Sequence, residues 1–201
     1  MTRVKICGLQ TPADIDAVNR LRPDFVGFVF APQSRRRVTP QTAAALRARL
    51  ADGIEAVGVF VDAPPELPAK LAADGVIDRI QLHGHEDAAY IAALRRQTAC
   101  PLLQAFCITS PADVSTAFAT AADFPLLDNG AGGTGASFDW TLLAETCRPF
   151  FLAGGLDAEN VGEAVRRYHP YAVDVSSGVE TNGHKDADKI ERFLAAVRRA
   201  G

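Results

Sequence analysis

A thiol, a carboxylate, an arginine cluster, a histidine and two pairs of small residues are spaced along this chain so that each follows a short apolar run. Cys7 closes the run Val4 to Cys7 and precedes Gly8. A thiol with an ordinary pKa of ~8.5 can serve as nucleophile or general base once cations or helix dipoles favour its thiolate. A lone cysteine is more often a small buried hydrophobe, so position alone leaves Cys7 open. Asp128 follows Leu126-Leu127 and precedes a loop with Gly130, Gly132, Gly133 and Gly135. A carboxylate ending an apolar strand is short of water and suits a general acid; the competing reading is a turn aspartate. The glycine-rich stretch from Asn129 to Ser137 suits a flap over a ligand, or an idle surface tip. Ser34-Arg35-Arg36-Arg37 puts guanidinium groups where one can grip a carboxylate bidentately. His83, with His85 two residues on, invites a metal reading, but two imidazoles do not complete a zinc site, and polar contact or stacking with a ligand fits better. Gly154-Gly155 and Ser176-Ser177-Gly178 end two apolar runs in residues small enough for backbone N–H groups to approach an anion, the chemistry of a phosphate cradle.

These groups need elements to bring them together. Strands are expected over 4–7, 25–30, 55–61, 78–83, 101–106, 125–128, 150–153 and 172–176. Helices fall between them, at 11–21, 39–51, 65–75, 86–97, 110 onward, 139–146, 157–168 and 186–199. Thr11-Pro12, Thr39-Pro40 and Ser110-Pro111 each pair an N-cap residue with proline at the first helical position. Strand then helix, eight times, implies right-handed crossovers and a parallel sheet. The fold class is α/β, a single-domain (β/α)8 TIM barrel. Over 201 residues each unit has about 25, near the lower limit for that barrel. An open doubly wound sheet is the alternative, disfavoured because no G-x-G-x-x-G follows the first strand.

Such a barrel gathers its chemistry at the C-terminal strand ends: Cys7, the 31–38 loop, Asp62, His83, Phe106, Asp128, Gly154-Gly155 and Ser176-Ser177. Lys5 and Asp174 alternate to the inner face of the first and last strands, which closure makes neighbours. A buried lysine needs a partner, so the two are expected to pair.

Hydrophobic residues make up 48% and charged residues 22%, which suits a globular chain with a sizeable core. A net charge of -3 carries no basic footprint for nucleic acid. No apolar run spans a bilayer, and the opening residues lack a signal-peptide core. Cys7, Cys100, Cys107 and Cys147 show no metal spacing. A reduced, cytoplasmic protein is expected, as monomer or homodimer.

In combination these segments resemble the phosphoribosylanthranilate isomerase family of tryptophan biosynthesis. The resemblance rests on Lys5 to Gly8, Gly27 to Phe30 with Ser34 to Val38, Gly58 to Val61, Gln81 to Gly84, Leu127-Asp128, Gly132 to Gly135 with Phe138 to Trp140, Leu152 to Leu156, and Asp174 to Glu180 followed by Gly183, Lys185 and Asp186. They run the length of the chain in order. The departures are a short loop between Asp128 and Gly132, and Gln104 where many members have lysine. The resemblance implies an Amadori rearrangement of a small phosphoribosyl substrate, with no cofactor and no metal. It implies Asp128 as general acid, Cys7 as general base, Arg36 as ligand of the anthranilate carboxylate, His83 as a substrate contact, and Gly154, Gly155, Ser177 and Gly178 around the phosphate. A metal-dependent sugar-phosphate lyase or epimerase and a non-catalytic phosphate-binding protein are the competing classes.

Overall fold

The eight apolar runs form eight parallel strands: β1 (Arg3–Cys7), β2 (Phe25–Val29), β3 (Glu55–Phe60), β4 (Arg79–Leu82), β5 (Leu102–Cys107), β6 (Phe124–Asp128), β7 (Phe151–Leu152) and β8 (Ala172–Val175). They pair in chain order, and β1 closes on β8, which sets aside the open sheet. The structure, a computed structural model, describes residues 1–129, 140–143 and 148–201. The expected flap lies outside them apart from Asn129, as do Cys147 and half of the helix expected at 139–146, of which a 3-10 turn, Trp140–Leu143, is described.

Around the barrel lie α1 (Pro12–Leu21), α2 (Pro40–Arg47), α3 (Glu66–Ala73), α4 (Ala88–Arg95), α5 (Pro111–Phe118), α6 (Val161–Tyr168) and α7 (Ala187–Ala200). Thr11 and Asp14 form a reciprocal capping box at α1, and Ser110 and Asp113 do the same at α5. Each such cap is worth about 1 kcal/mol. Several helices are shorter than their sequence pattern, and for α2 and α6 the cause is visible. Beyond α2, the Asn19 amide holds Arg49 O and Ala51 N, drawing the chain out of helical register. Ahead of α6, the Asp157 carboxylate accepts from the N–H groups of Glu159 and Asn160, a local turn that competes with helix. After β8 comes an unexpected hairpin: a 3-10 turn (Ser177–Val179), then β9 (Glu180–Thr181) and β10 (His184–Lys185). Asn182 and Gly183, at φ 54° and 83°, turn it; Asn-Gly is the strongest short hairpin signal. Among the described residues, no helix is long and apolar enough to cross a membrane.

The barrel interior is layered. Its N-terminal end is plugged by Phe25, Phe124, Phe151 and Tyr171, with the guanidinium groups of Arg3 and Arg79 over the rings. Above the plug, Lys5 is fully buried and its Nζ donates to Asp174 Oδ2 at 2.8 Å. The expected pair is formed because Lys5 and Asp174 stand in register across the closing strands. Burial pulls the Lys5 pKa down, but Asp174 and Cys7 together outweigh it and the pKa is raised, so the ammonium keeps its charge. Removing one member leaves the other charge buried alone, a cost of about 3–5 kcal/mol. Denaturant unfolding of Lys5→Met, Asp174→Asn and the double variant should show that loss in each single and a double much less destabilised than their sum. Simple additivity would mean the two do not act as a pair.

Candidate active site

Strand ends, not helices, carry the reactive side chains here. Cys7, Arg36, His83, Asp128, Gly154, Gly155, Ser177 and Gly178 all line one pocket of about 240 Å³ at the C-terminal mouth of the barrel. Asp62 and Phe106, also expected at that face, do not line it. Asp62 is exposed and bound to His85, and Phe106 packs outward against the helices.

Cys7 lies deep in the pocket, against the apolar wall of Val29, Ala31 and Val59. It fits because Gly27, opposite it on β2, has no side chain: a Cβ there would stand 2.6 Å from the sulfur. Burial pushes the thiol's pKa up; the Lys5 ammonium, within hydrogen-bonding reach, opposes that only in part. The resting thiol is therefore protonated, with a cation beside it ready to stabilise the thiolate.

Asp128 ends β6, opposite Cys7 across the mouth. Its Oδ1 accepts the Asn129 N–H at 2.7 Å, and its Oδ2 lies 3.5 Å from His83 Nε2. Gly154, at φ 84°, has a second reason to be glycine besides anion approach: a Cβ would fall 2.8 Å from Asp128 Oδ1. His83 and His85 diverge, the first into the pocket and the second outward onto Asp62 at 3.0 Å.

Arg36 reaches the pocket, but not freely. Its Nε and Nη2 donate to Glu180 Oε1 and Oε2 at 2.7 and 2.9 Å. Glu180, at the start of the hairpin, also accepts from Arg35 at 3.0 Å and from Lys185 at 2.7 Å. Burial pushes the Glu180 pKa up, but Arg36 and Lys185 outweigh it and hold it down at about 2. Glu180 thus grips the side edge of the guanidinium and leaves the Nη1–Nη2 end for a second carboxylate. Ser34 supports the same loop, its hydroxyl accepting the Arg36 N–H at 3.1 Å.

The cradle differs from expectation in one respect. The first element after β8 is the short Ser177–Val179 turn rather than an α-helix, whereas α6, starting at Val161, is tied to the Gly154-Gly155 end by its N-cap Asn160, whose amide donates to Gly155 O at 2.8 Å. Lys185 adds a buried ammonium that donates to Ser176 O and Glu180, at 3.1 and 2.7 Å. Gln104 points away from the pocket: its amide bridges Glu86 O and the Thr120 hydroxyl, so this departure from the family pattern touches packing only.

Sequence reading missed Glu180, Lys185, Gly27 and Gln81 as site residues. Asn182-Gly183 was the available sign that the segment after β8 folds back and brings Lys185 beside Glu180.

A closed barrel of eight parallel strands with its titratable groups gathered in one C-terminal pocket is the layout of a (β/α)8-barrel enzyme working on a small molecule. A family model for N-(5'phosphoribosyl)anthranilate (PRA) isomerase matches residues 4–196. The chain belongs to that family. A protein named N-(5'-phosphoribosyl)anthranilate isomerase from Endomicrobium trichonymphae is 45% identical over 202 residues, covering 98% of this chain and 99% of its own. The phosphoribosyl anthranilate isomerase of Thermus thermophilus superposes with a TM-score of 0.89 at 35% identity, over 100% of both chains. A phosphoribosyl anthranilate isomerase in complex with reduced 1-(o-carboxyphenylamino)-1-deoxyribulose 5-phosphate superposes at 0.88, with 33% identity over 99% of this chain and 100% of that one.

Proposed function

We propose that Cys7 and Asp128 divide the acid–base work of the family's reaction in this chain. The reaction is the Amadori isomerisation of N-(5'-phosphoribosyl)anthranilate to 1-(2-carboxyphenylamino)-1-deoxyribulose 5-phosphate, a step of tryptophan biosynthesis. The observation that carries the assignment is that a thiol beside an ammonium and a carboxyl beside an imidazole end β1 and β6 and line one pocket. Asp128 protonates the ribose ring oxygen; the C1–O bond breaks, and the nitrogen lone pair forms the Schiff base. Cys7 takes the proton from C2, and the C2–H electrons pass through the C=N bond to nitrogen, giving the enolamine. That species gains a proton at C1, loses one from the C2 hydroxyl, and becomes the ketone. The substrate nitrogen is the electron sink, so no cofactor or metal takes part in these steps.

The two anionic ends of the substrate have separate anchors. The phosphate lies against Gly154, Gly155, Ser177 and Gly178; the anthranilate carboxylate takes the free end of the Arg36 guanidinium, and its ring lies on Val29, Ala31 and Val59. His83 contacts substrate beside the acid. Loss of anthranilate-adduct fluorescence on adding purified protein tests the activity, and its rate should be the same with and without a chelator. A rate abolished by the chelator and restored by a divalent metal would replace this mechanism.

Arg36→Lys should not be conservative, because an ammonium cannot hold Glu180 side-on and a ligand carboxylate end-on together. Affinity for product-like compounds bearing the anthranilate carboxylate should fall by about tenfold or more, the scale of one charge-assisted hydrogen bond. Inorganic phosphate should bind as before in the same calorimetric titration. Equal loss for both ligands would move Arg36 into the phosphate site.

A further inference from the structure

We propose that Gln81 is a positioning residue for the acid: it holds His83 as the tautomer whose proton sits on Nε2, facing Asp128. Gln81 lies on β4 with its side chain turned into the barrel, and only 1% of it is exposed. Its Nε2 is 2.8 Å from His83 Nδ1. An amide nitrogen donates and does not accept, so Nδ1 must be the acceptor, and the proton of a neutral imidazole is on Nε2. That Nε2 is the atom 3.5 Å from Asp128 Oδ2. Among the described residues, Gln81 Oε1 is buried without a partner. Turning the amide over would satisfy that oxygen only by leaving the amide hydrogens without the imidazole acceptor. A buried carbonyl left unpaired costs stability, and a side chain kept at that cost is kept for what its other end does.

The consequence concerns where the acid's proton can go. With Nε2–H toward it, the imidazole cannot accept a proton from Asp128, so the proton stays available to the ring oxygen of the substrate. Once Asp128 has given it up, the same N–H faces the new carboxylate as a donor. The opposite tautomer would aim a lone pair at Asp128, drawing its proton away beforehand and repelling the carboxylate afterwards. The catalytic part rests on the reading of Asp128 as the acid; the tautomer does not.

Histidine-labelled protein without substrate tests the tautomer by long-range proton–nitrogen NMR. Four histidines give signals, and a His83→Asn sample identifies the one in question. His83 should show the Nε2-protonated pattern. In Gln81→Leu it should relax to a mixture, and in Gln81→Glu, whose carboxylate accepts from Nδ1, it should carry a proton on Nδ1. Turnover of Gln81→Glu should fall at least about tenfold, by more than KM rises, because the displaced proton is the one that faces the acid. An Nδ1-protonated His83 in the unaltered protein overturns the proposal, and that spectrum stands even if a variant does not fold. So does an unchanged tautomer in both variants, or a switched tautomer with full turnover. Asp128→Asn separates the two levels: full turnover there removes the acid assignment while the tautomer result remains.

Discussion

Replacing Cys7 by serine should lower turnover by at least ~10²-fold, the usual contribution of a positioned general base, while substrate affinity stays near its original value. Serine keeps the shape of the side chain beside Gly27 and the apolar wall, so packing and binding are little disturbed. What it loses is an ionisable group that Lys5 can stabilise as an anion. The pH dependence carries a second signature. Burial, opposed only in part by Lys5, holds the thiol's pKa above its ordinary value. A thiol still protonated near neutrality is not yet a base. The thiolate fraction therefore rises with pH, and kcat/KM with it for as long as the acid keeps its proton. One limb of the kcat/KM profile should belong to the thiol, lie above the ordinary thiol range, and vanish in Cys7→Ser. Near-normal turnover with that limb intact would return Cys7 to packing.

Asp128→Asn should cost about 10²–10⁴-fold in turnover, the range for loss of a positioned general acid. The amide keeps the shape that Gly154 accommodates and can still accept the Asn129 N–H. It has no proton to give to the ring oxygen, so ring opening becomes the slow step. Binding of product analogues, which present no closed ring to open, should be almost unchanged by calorimetry. Full turnover with an unaltered pH profile would make Asp128 a loop cap and send the search for the acid to His83.

The barrel and the positions of both catalytic candidates were legible in the chain because each depends on short-range patterns. Apolar runs alternate with Thr-Pro and Ser-Pro helix starts, and Cys7 and Asp128 are the last residues of their strands. Lys5 and Asp174 were legible as a pair because strand alternation turns both inward and closure makes β1 and β8 neighbours. Glu180 was not, because its partners are brought to it by tertiary structure: Arg36 from the loop after β2, and Lys185 from beyond the Asn182-Gly183 turn. Gln81 was hidden for a different reason: alternation puts it on the same face as His83 two residues on, but only the folded contact shows which ring nitrogen its amide meets. The shortened α2 belongs with these, since the Asn19 amide that ends it comes from another helix. Side chains that act through a tertiary partner leave no periodic trace.

Cys7 and Asp128 break different bonds, and substrate deuterated at ribose C2 reads that division directly. The isotope effect on turnover should be measured for the unaltered protein, Cys7→Ser and Asp128→Asn. With Cys7 as the base, Cys7→Ser makes C2–H cleavage the slow step and the effect grows. With Asp128 as the acid, Asp128→Asn makes ring opening slow and the effect shrinks toward unity. The same isotope effect in both variants, or the opposite order, would contradict the division of labour between the thiol and the carboxylate.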